Sequence, residues 1–188
     1  MTLTSQEQRT LLTLAREAVT RAAHRQDPPV VKLDTVSENL RRDGASFVTL
    51  TKRGDLRGCI GSLEARRPLA LDVRANAIAA ALQDPRFPAV RPEELEALKI
   101  EVSVLSTPQP LSYDNANDLI AKLRPGVDGV IIKRGWNRAT FLPQVWEKLP
   151  DPDQFLQRLC LKAYLPADAY RSTDLDVYTY QVTKFEEE

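Results

Sequence analysis

The amino-acid sequence predicts an α+β fold of duplicated β2-α-β units with an added N-terminal helix. Two observations carry this prediction. An amphipathic helical pattern opens the chain. After it, the order strand, strand, helix, strand occurs twice, over residues of about 45–106 and 127–186. The chain has 188 residues, of which 43% are hydrophobic and 28% charged, as is usual for a globular protein. We therefore expect a single domain over residues 1–188, with these two lobes as internal structural repeats.

A repeated tripeptide supports the duplication. Lys52-Arg53-Gly54 recurs as Lys133-Arg134-Gly135, which is 81 positions later (from 53 to 134). Kept without gaps, this offset matches Cys59 with Thr140. The alternative is an unduplicated α+β domain that contains two similar hairpins.

The first helix is predicted over residues of about 5–24. Thr4 and Glu7 have the spacing of a capping box, which satisfies two backbone N–H groups at the start of a helix. Asp27-Pro28-Pro29 ends the helix because two prolines cannot continue it. Residues 30–43 are expected to form a largely irregular connection.

Turn and helix signals define the first lobe. Gly54-Asp55 predicts a two-residue hairpin turn. The alanine-rich residues 69–83 predict a helix that can approach a sheet closely, and Asp84-Pro85 ends it. The predicted strands of this lobe are 45–52, 56–63 and 100–105.

The second lobe repeats this order. The same offset of 81 carries strand 100–105 onto residues 181–186, close to the last predicted strand. The predicted elements are a helix over about 116–123, strands over 129–133 and 138–142, a helix over 151–164, and a strand over 176–185.

Composition excludes several classes of protein. The chain has no signal-peptide pattern at its start and no apolar run long enough to span a membrane, so we expect a cytoplasmic protein. Cys59 and Cys160 are the two cysteines and have no metal-ligand or disulfide-framework spacing. His24 is the single histidine, which disfavours zinc sites and histidine-dependent catalysis.

The charge distribution is uneven although the net charge is zero. Residues 50–91 are net positive, whereas the chain after Trp146 is rich in acids. Solvated surfaces explain such a pattern most simply, and a small anionic ligand or partner near the basic stretch is the alternative. Zero net charge disfavours a protein that coats nucleic acid, without excluding contact with one.

The most unusual segment is Leu56-Arg57-Gly58-Cys59-Ile60-Gly61. Two glycines weaken a short strand unless a bulge, a neighbouring backbone or a ligand must come close. With the turn at Gly54-Asp55, Cys59 shares a face with Val48 and Leu50. A thiol on an apolar face acts as a small hydrophobe, whereas a thiol close to Arg57 and backbone amides is a candidate nucleophile. Both interpretations stay open.

A second candidate segment is Asp84-Pro85-Arg86-Phe87. Asp84 and Arg86 form a local ion pair in one interpretation, with Phe87 in the core. In the other, Arg86 and Phe87 return toward the glycine-containing strand as a charged and an aromatic wall. In the second lobe, Thr140 is a candidate cleft residue, and Cys160 is expected in the core.

These segments resemble the AMMECR domain family, which occurs in bacteria and archaea as AmmeMemoRadiSam system protein A. The resemblance covers nearly the whole chain. It rests on Leu56-Arg57-Gly58-Cys59-Ile60-Gly61, Asp84-Pro85-Arg86-Phe87, Glu101-Val102-Ser103-Val104-Leu105, Gly126-Val127-Asp128-Gly129, Ala139-Thr140-Phe141-Leu142-Pro143-Gln144-Val145-Trp146-Glu147 and Leu159-Cys160-Leu161-Lys162-Ala163.

The resemblance implies the same fold of duplicated β2-α-β units with an added N-terminal helix. It also implies an association with a Memo-like protein and a radical-SAM protein as partners. It supplies no reaction, substrate or cofactor, so the cofactor is unknown.

Two hypotheses of function follow. In the first, the protein is a binding component that holds a partner protein or a small anionic ligand. In the second, Cys59 is the nucleophile of a thiol-dependent enzyme, and Arg57 and backbone amides polarise an acyl or similar group. A transferase that acts on RNA is a weaker third idea. The residues expected at the binding site are Arg57, Gly58, Ile60, Gly61, Asp84, Arg86, Phe87 and Thr140, with no metal.

Overall fold

The computed structural model describes residues 3–188 and confirms the α+β class. The helices are α1 (Ser5–Ala23), α2 (Glu38–Arg41), α3 (Leu69–Leu82), α4 (Ala116–Lys122) and α5 (Pro152–Lys162). The strands are β1 (Ala45–Lys52), β2 (Asp55–Gly61), β3 (Leu98–Leu105), β4 (Gln109–Pro110), β5 (Gly129–Arg134), β6 (Asn137–Phe141), β7 (Asp176–Tyr180) and β8 (Val182–Glu186).

The described residues divide into two compact units. Residues up to 106 and residues 183–188 form the first unit, and residues 107–182 form the second. The strand orders of the two sheets are β2-β1-β3-β8 and β4-β7-β5-β6. In each sheet, the first hairpin strand pairs antiparallel with its hairpin partner and with the strand after the following helix. Both units thus contain the order strand, strand, helix, strand, while the superposition of the two groups stays a prediction.

The first helix begins at the predicted capping box. The Thr4 hydroxyl accepts the Glu7 N–H at 3.2 Å, and the Glu7 carboxylate accepts the Thr4 N–H at 2.8 Å. The apolar stripe of α1, which includes Leu11, Ala15 and Val19, is fully buried. It packs against α3, whose alanines leave little side-chain bulk between the two helices.

The hairpin turn of the first unit lies one residue earlier than predicted. The prediction of a turn at Gly54-Asp55 is wrong, because the turn is Arg53-Gly54 and Lys52 pairs with Asp55. Both turn residues have positive φ, 55° and 91°, as a two-residue turn of type I′ requires. The register then shifts at a bulge that leaves Arg57 without a partner in β1.

The second hairpin also has a two-residue turn, Gly135-Trp136. The two turns therefore correspond at an offset of 82, from Arg53 to Gly135, and not at the offset of 81 shown by the tripeptides. The bulge in the first hairpin adds one residue to β2. Beyond it, Cys59 and Thr140 occupy the same register position, because each is paired with the fourth residue before the turn in the first strand of its hairpin.

The predicted last strand is two strands. The prediction of one strand over 176–185 is wrong, because β7 and β8 lie in different sheets. Gln181 separates them, and its side chain donates to Asp128 Oδ1 at 3.2 Å. Since β7 pairs with β5 as β3 pairs with β1, the match of 100–105 with 181–186 is also wrong.

The core of the second unit is built around aromatic rings. Phe155 is fully buried and stacks on Trp146 at a centroid distance of 3.6 Å. Phe141 meets the Phe155 ring edge-on at 5.2 Å. Across residues 3–188, no helix combines the length and the apolar composition needed to cross a membrane.

Candidate functional site

Strand β2 contains the segment Leu56–Gly61, which we call the motif. This motif strand lies at the edge of the first sheet. Cys59 lies opposite Thr49, and residues opposite each other point to the same face of a sheet. Val48 and Leu50 point to the other face, where they are fully buried with α3. The prediction that Cys59 shares their face is wrong, because the bulge shifts the pairing beyond Arg57 by one residue, whereas the earlier turn shifts it by two and keeps the face.

Protein groups approach both glycines of the motif. A Cβ atom on Gly58 would lie 2.3 Å from the backbone carbonyl oxygen of Ala80 in α3. A Cβ atom on Gly61 would lie 2.2 Å from the ring of Phe47, its cross-strand partner. Ile60 packs against the core of the first unit. The close neighbours expected from the sequence are thus a helix backbone and an aromatic ring.

Cys59 is half-buried, and its thiol contacts a hydroxyl group. The Thr49 hydroxyl donates to Sγ of Cys59 at 3.3 Å. The nearby Asp84 carboxylate accepts the backbone N–H of Cys59 at 2.8 Å. A thiolate at this position would therefore have a hydroxyl donor beside it.

Asp84 closes the outer edge of β2 at Cys59. Besides the Cys59 N–H, it binds the side chain of Arg86, whose Nε and Nη2 donate at 2.9 and 2.6 Å. Asp84 is buried, and the Arg86 guanidinium is the main cause that holds the pKa of its carboxyl well below the ordinary value. The Asp84 carboxylate thus already accepts hydrogen bonds from Cys59 and Arg86, and it is a poor general base.

Two guanidinium groups lie close to the ring of Phe87. The Arg86 and Arg57 guanidinium carbons lie 5.5 and 6.0 Å from the centre of its ring. Arg86 pairs locally with Asp84, as one interpretation expected, and it also reaches the β2 strand, as the other expected, since its Nη2 donates to the Cys59 carbonyl oxygen at 3.5 Å. Phe87 is half-buried and is not a core residue.

Arg57 is buried and bound by a residue that the sequence did not indicate. Glu94 accepts from Nε and Nη2 of Arg57 at 3.1 and 2.9 Å, and from Lys52 at 2.9 Å. Arg57 is the main cause that lowers the pKa of Glu94 to about 2. The Nη1 atom of Arg57 is buried without a hydrogen-bond partner. Glu94 lies 37 positions from Arg57, so no local pattern reveals the pair.

The predicted basic stretch is largely paired with acids. Part of its attraction for an anion must therefore come from the exposed sides of ion pairs, beside exposed cations such as Arg53. The Arg86 side chain is 55% exposed, and the Arg66 side chain is 80% exposed. The pairs are Lys52 and Arg57 with Glu94, Arg66 with Glu64, Arg67 with Asp72, and Arg86 with Asp84.

A polar pocket at the end of β2 was missed in the sequence. Its buried anchor is Asp72, which accepts from the Ser46 hydroxyl at 2.7 Å, the Ser62 hydroxyl at 2.8 Å and the Asn76 amide at 2.9 Å. Two polar residues four positions apart in an alanine-rich helix were the available signal. The pocket of about 530 Å³ is lined by Gly61, Ser62, Leu63, Glu64, Arg66, Arg67 and Asp72.

Thr140 belongs to the second unit. Its hydroxyl lies 3.0 Å from the hydroxyl of Tyr180. Cys160 is fully buried as predicted, and burial raises the pKa of its thiol. No group of three or more His, Cys, Asp or Glu side chains in residues 3–188 is arranged to hold a metal ion.

Comparison with known proteins relates nearly the whole chain to one family. The family model described as AMMECR1 matches residues 12–185. A protein of Methanothermobacter thermautotrophicus is 42% identical over 188 residues, which cover 99% of this chain and 97% of the relative. A protein of Thermotoga maritima is 40% identical over 155 residues, covering 81% and 83% of the two chains.

A solved structure has the same fold. The crystal structure of an uncharacterised protein from Pyrococcus horikoshii matches with a TM-score of 0.79 and 34% identity. The match covers 95% of this chain and 90% of that protein.

Proposed function

This chain belongs to the AMMECR1 family, and we propose that it is a binding component that holds a ligand or partner at the outer edge of β2. The observation that carries the proposal is the Arg86 guanidinium. It is fixed by two hydrogen bonds to buried Asp84, yet more than half of the side chain faces solvent beside Cys59. A cation held in this way can donate to an anion without a further loss of side-chain entropy.

The proposed ligand chemistry is a carboxylate or another small anion. Arg86 would contact the charge, and the half-buried ring of Phe87 would contact an apolar part of the ligand. A Memo-like protein and a radical-SAM protein are the proposed partners, on the strength of the family resemblance.

The first test measures binding of a purified Memo-like protein by calorimetry. We expect Arg86→Gln to weaken binding about tenfold, because charge-assisted hydrogen bonds contribute about 1.5–3 kcal/mol each. Arg66→Gln is the matched control, since Arg66 also pairs with an acid two residues before it, and it should change binding less than about twofold. Added salt should weaken the wild-type complex.

Two checks make this test decisive. Thermal unfolding of Arg86→Gln must show a folded protein, because the substitution leaves buried Asp84 with fewer donors. Absence of binding by the wild type would contradict the proposed partner. A binding affinity that changes neither with salt nor with Arg86→Gln would contradict the proposed surface.

The alternative function is a thiol-dependent enzyme with Cys59 as nucleophile. One observation favours it, the Thr49 hydroxyl at 3.3 Å, which is placed to stabilise a thiolate. The position of Asp84 counts against it, because that carboxylate is bound to the Cys59 backbone N–H and to Arg86. General-base activation needs an acceptor in contact with the thiol.

Thiol labelling separates these two functions. If Cys59 is a structural residue, iodoacetamide at neutral pH should modify it no faster than a free cysteine, and buried Cys160 should stay unmodified until the protein unfolds. Mass spectrometry of the labelled peptides measures both rates. Labelling of Cys59 at least about tenfold faster than free cysteine would favour the enzyme. Thr49→Val should abolish that acceleration if the hydroxyl causes it.

A further inference from the structure

An apolar groove lies between α1 and α3 in the first unit. Its volume is about 520 Å³. Sites that bind small molecules usually measure about 300–1,000 Å³, so the groove has a suitable size. We call it the α1–α3 groove, and its apolar lining residues are Ala18, Ala22, Pro28, Ile78, Leu82 and Ala89.

The spacing of small and large residues on the two helices forms the groove. Ala18 and Ala22 lie four residues apart on α1, and Ile78 and Leu82 lie four residues apart on α3, so each pair occupies one helix face. Alanine leaves room that a larger side chain would fill. Ile78 is half-buried and Leu82 is 40% exposed, although α1 packs on α3. The described residues thus leave apolar surface of α3 uncovered.

The polar lining residues of the groove, Arg25 and Gln26, lie together after the end of α1. The Arg25 N–H donates to the carbonyl of Ala22 at 3.0 Å, and the Gln26 N–H donates to that of Arg21 at 2.9 Å. These two bonds form a Schellman motif, in which the left-handed residue is usually glycine. Arg25 takes this place with φ of 55°, which strains its backbone. The sequence therefore retains a long cationic side chain where glycine fits the backbone better.

The Arg25 guanidinium is available to a ligand. The residue is exposed, and none of residues 3–188 accepts a hydrogen bond from its side chain or forms an ion pair with it. Arg21, in the last turn of α1, is already paired with Glu17 at 3.0 Å. Asp27 is the nearest acid in the sequence and is exposed. All five N–H donors of Arg25 are thus unused.

A second cation lies at the same end of the groove. Pro28 lines the groove, and the carbonyl of the next residue, Pro29, accepts from Nη1 of Arg74 at 3.1 Å. Arg25 and Arg74 together outweigh the charge of Asp27. A ligand with one negative charge therefore complements this end of the groove.

We infer that the α1–α3 groove binds a small amphipathic molecule with an apolar chain and a carboxylate head, such as a monomeric medium-chain fatty acid. The chain lies against Ile78 and Leu82, and the carboxylate accepts from the planar guanidinium of Arg25. An apolar lining with a few polar groups is typical of small-molecule sites. A protein partner needs a wider apolar centre than one half-buried and one exposed large side chain provide.

This inference is independent of the proposed function. None of the residues that line the α1–α3 groove belongs to the site proposed at the outer edge of β2. A failure of one proposal therefore leaves the other standing, and Arg86→Gln distinguishes the two sites in the same experiment.

The test follows the backbone amide NMR signals of the full protein during titration with decanoate below its micelle concentration. We expect saturable shifts at residues around the groove, such as Ala22, Arg25 and Leu82. Decanol, which has the same chain without the charge, should bind about fivefold more weakly, the upper range for an exposed ion pair. Acetate, which has the head without the chain, should cause no saturable shift at the same concentrations.

Arg25→Gly separates the charge from the fold. Glycine relieves the left-handed strain, so this variant should be at least as stable to heat as the wild type. It should bind decanoate about fivefold more weakly and decanol equally well. Arg53→Gly is the matched control, because Arg53 is also an exposed arginine with φ of 55° but lies in the first hairpin turn. Leu82→Ala should weaken both ligands about fivefold.

Four results would overturn the inference. The first is the absence of saturable decanoate binding. The second is an affinity that neither Arg25→Gly nor Leu82→Ala changes. The third is binding that shifts only signals of the motif strand and that Arg86→Gln abolishes, because decanoate would then occupy the site at β2. The fourth is self-association in sedimentation experiments that Leu82→Ala abolishes, because a second copy of the chain would then cover the groove.

Discussion

Gly58→Ala is expected to destabilise the first unit by about 3 kcal/mol, the upper part of the usual range for overpacking. The added methyl group would lie 2.3 Å from the carbonyl oxygen of Ala80, far inside van der Waals contact. The obstacle is helix backbone and cannot rotate away, so α3 must move from the sheet. For a chain of this size the melting temperature should fall by about 6–12 °C, which calorimetry or circular dichroism measures.

Gly61→Ala is the matched comparison within the same strand. Its added methyl group would meet the ring of Phe47, a side chain that can rotate. We expect a smaller loss of stability, and Phe47→Leu should relieve part of it. The loss of stability caused by Gly58→Ala should be the same in the wild type and in the Phe47→Leu variant. A Gly58→Ala loss no larger than that of Cys59→Ala would contradict the close approach of α3.

Local signals explain why most elements could be predicted from the sequence. The capping box of Thr4 and Glu7 acts within one helical turn, and the prolines after Asp27 act on their immediate neighbours. Helices and strands depend on such short-range patterns. Their predicted bounds agree with α1, α3 and β1 to within one residue.

The register of the motif strand could not be predicted for a physical reason. Arg53 in a left-handed conformation moves the turn by one residue, which changes the pairing by two residues and leaves each side chain on its face. The bulge at Arg57 then changes the pairing by one residue. Side chains alternate between the faces of a strand, so a shift of one residue transfers Cys59 from the core face to the other. The glycines of this segment were compatible with a bulge, but glycine in a strand signals one only weakly and does not fix its position.

The ion pairs between residues far apart in the chain were the other feature that the sequence did not predict. The sequence shows the cations of the basic stretch, but the acids that bind Arg57 and Arg67 come from other elements. Asp72 reaches Ser46 and Arg67 from α3, and Glu94 reaches Arg57 from the turn before β3. A count of charges along the chain therefore overestimates the positive field near β2. The exposed side of Arg86 survives this correction, so the proposed function rests on it.

Glu94 is the residue whose loss should show this pairing most clearly. Its carboxylate binds both Arg57 and Lys52. The side chains of Glu94 and Arg57 are each 11% exposed. Glu94→Gln should destabilise the protein at pH 7 by about 3 kcal/mol, because it leaves the buried Arg57 charge without a counter-charge. Arg57→Met combined with Glu94→Leu should cost less than Glu94→Gln alone, since that pair of changes removes both buried charges.

The pH dependence provides a second readout of the same pair. The pKa of Glu94 is about 2 in the folded protein and ordinarily 4.5, so folding favours the ionised form. The stability it contributes is complete above pH 4.5 and is lost as the pH falls toward 2. The difference in unfolding free energy between the wild type and Glu94→Gln should therefore shrink over this range. Urea titrations at several pH values measure this difference in unfolding free energy. A small difference that stays the same at every pH would show that Arg57 is not held by the Glu94 charge.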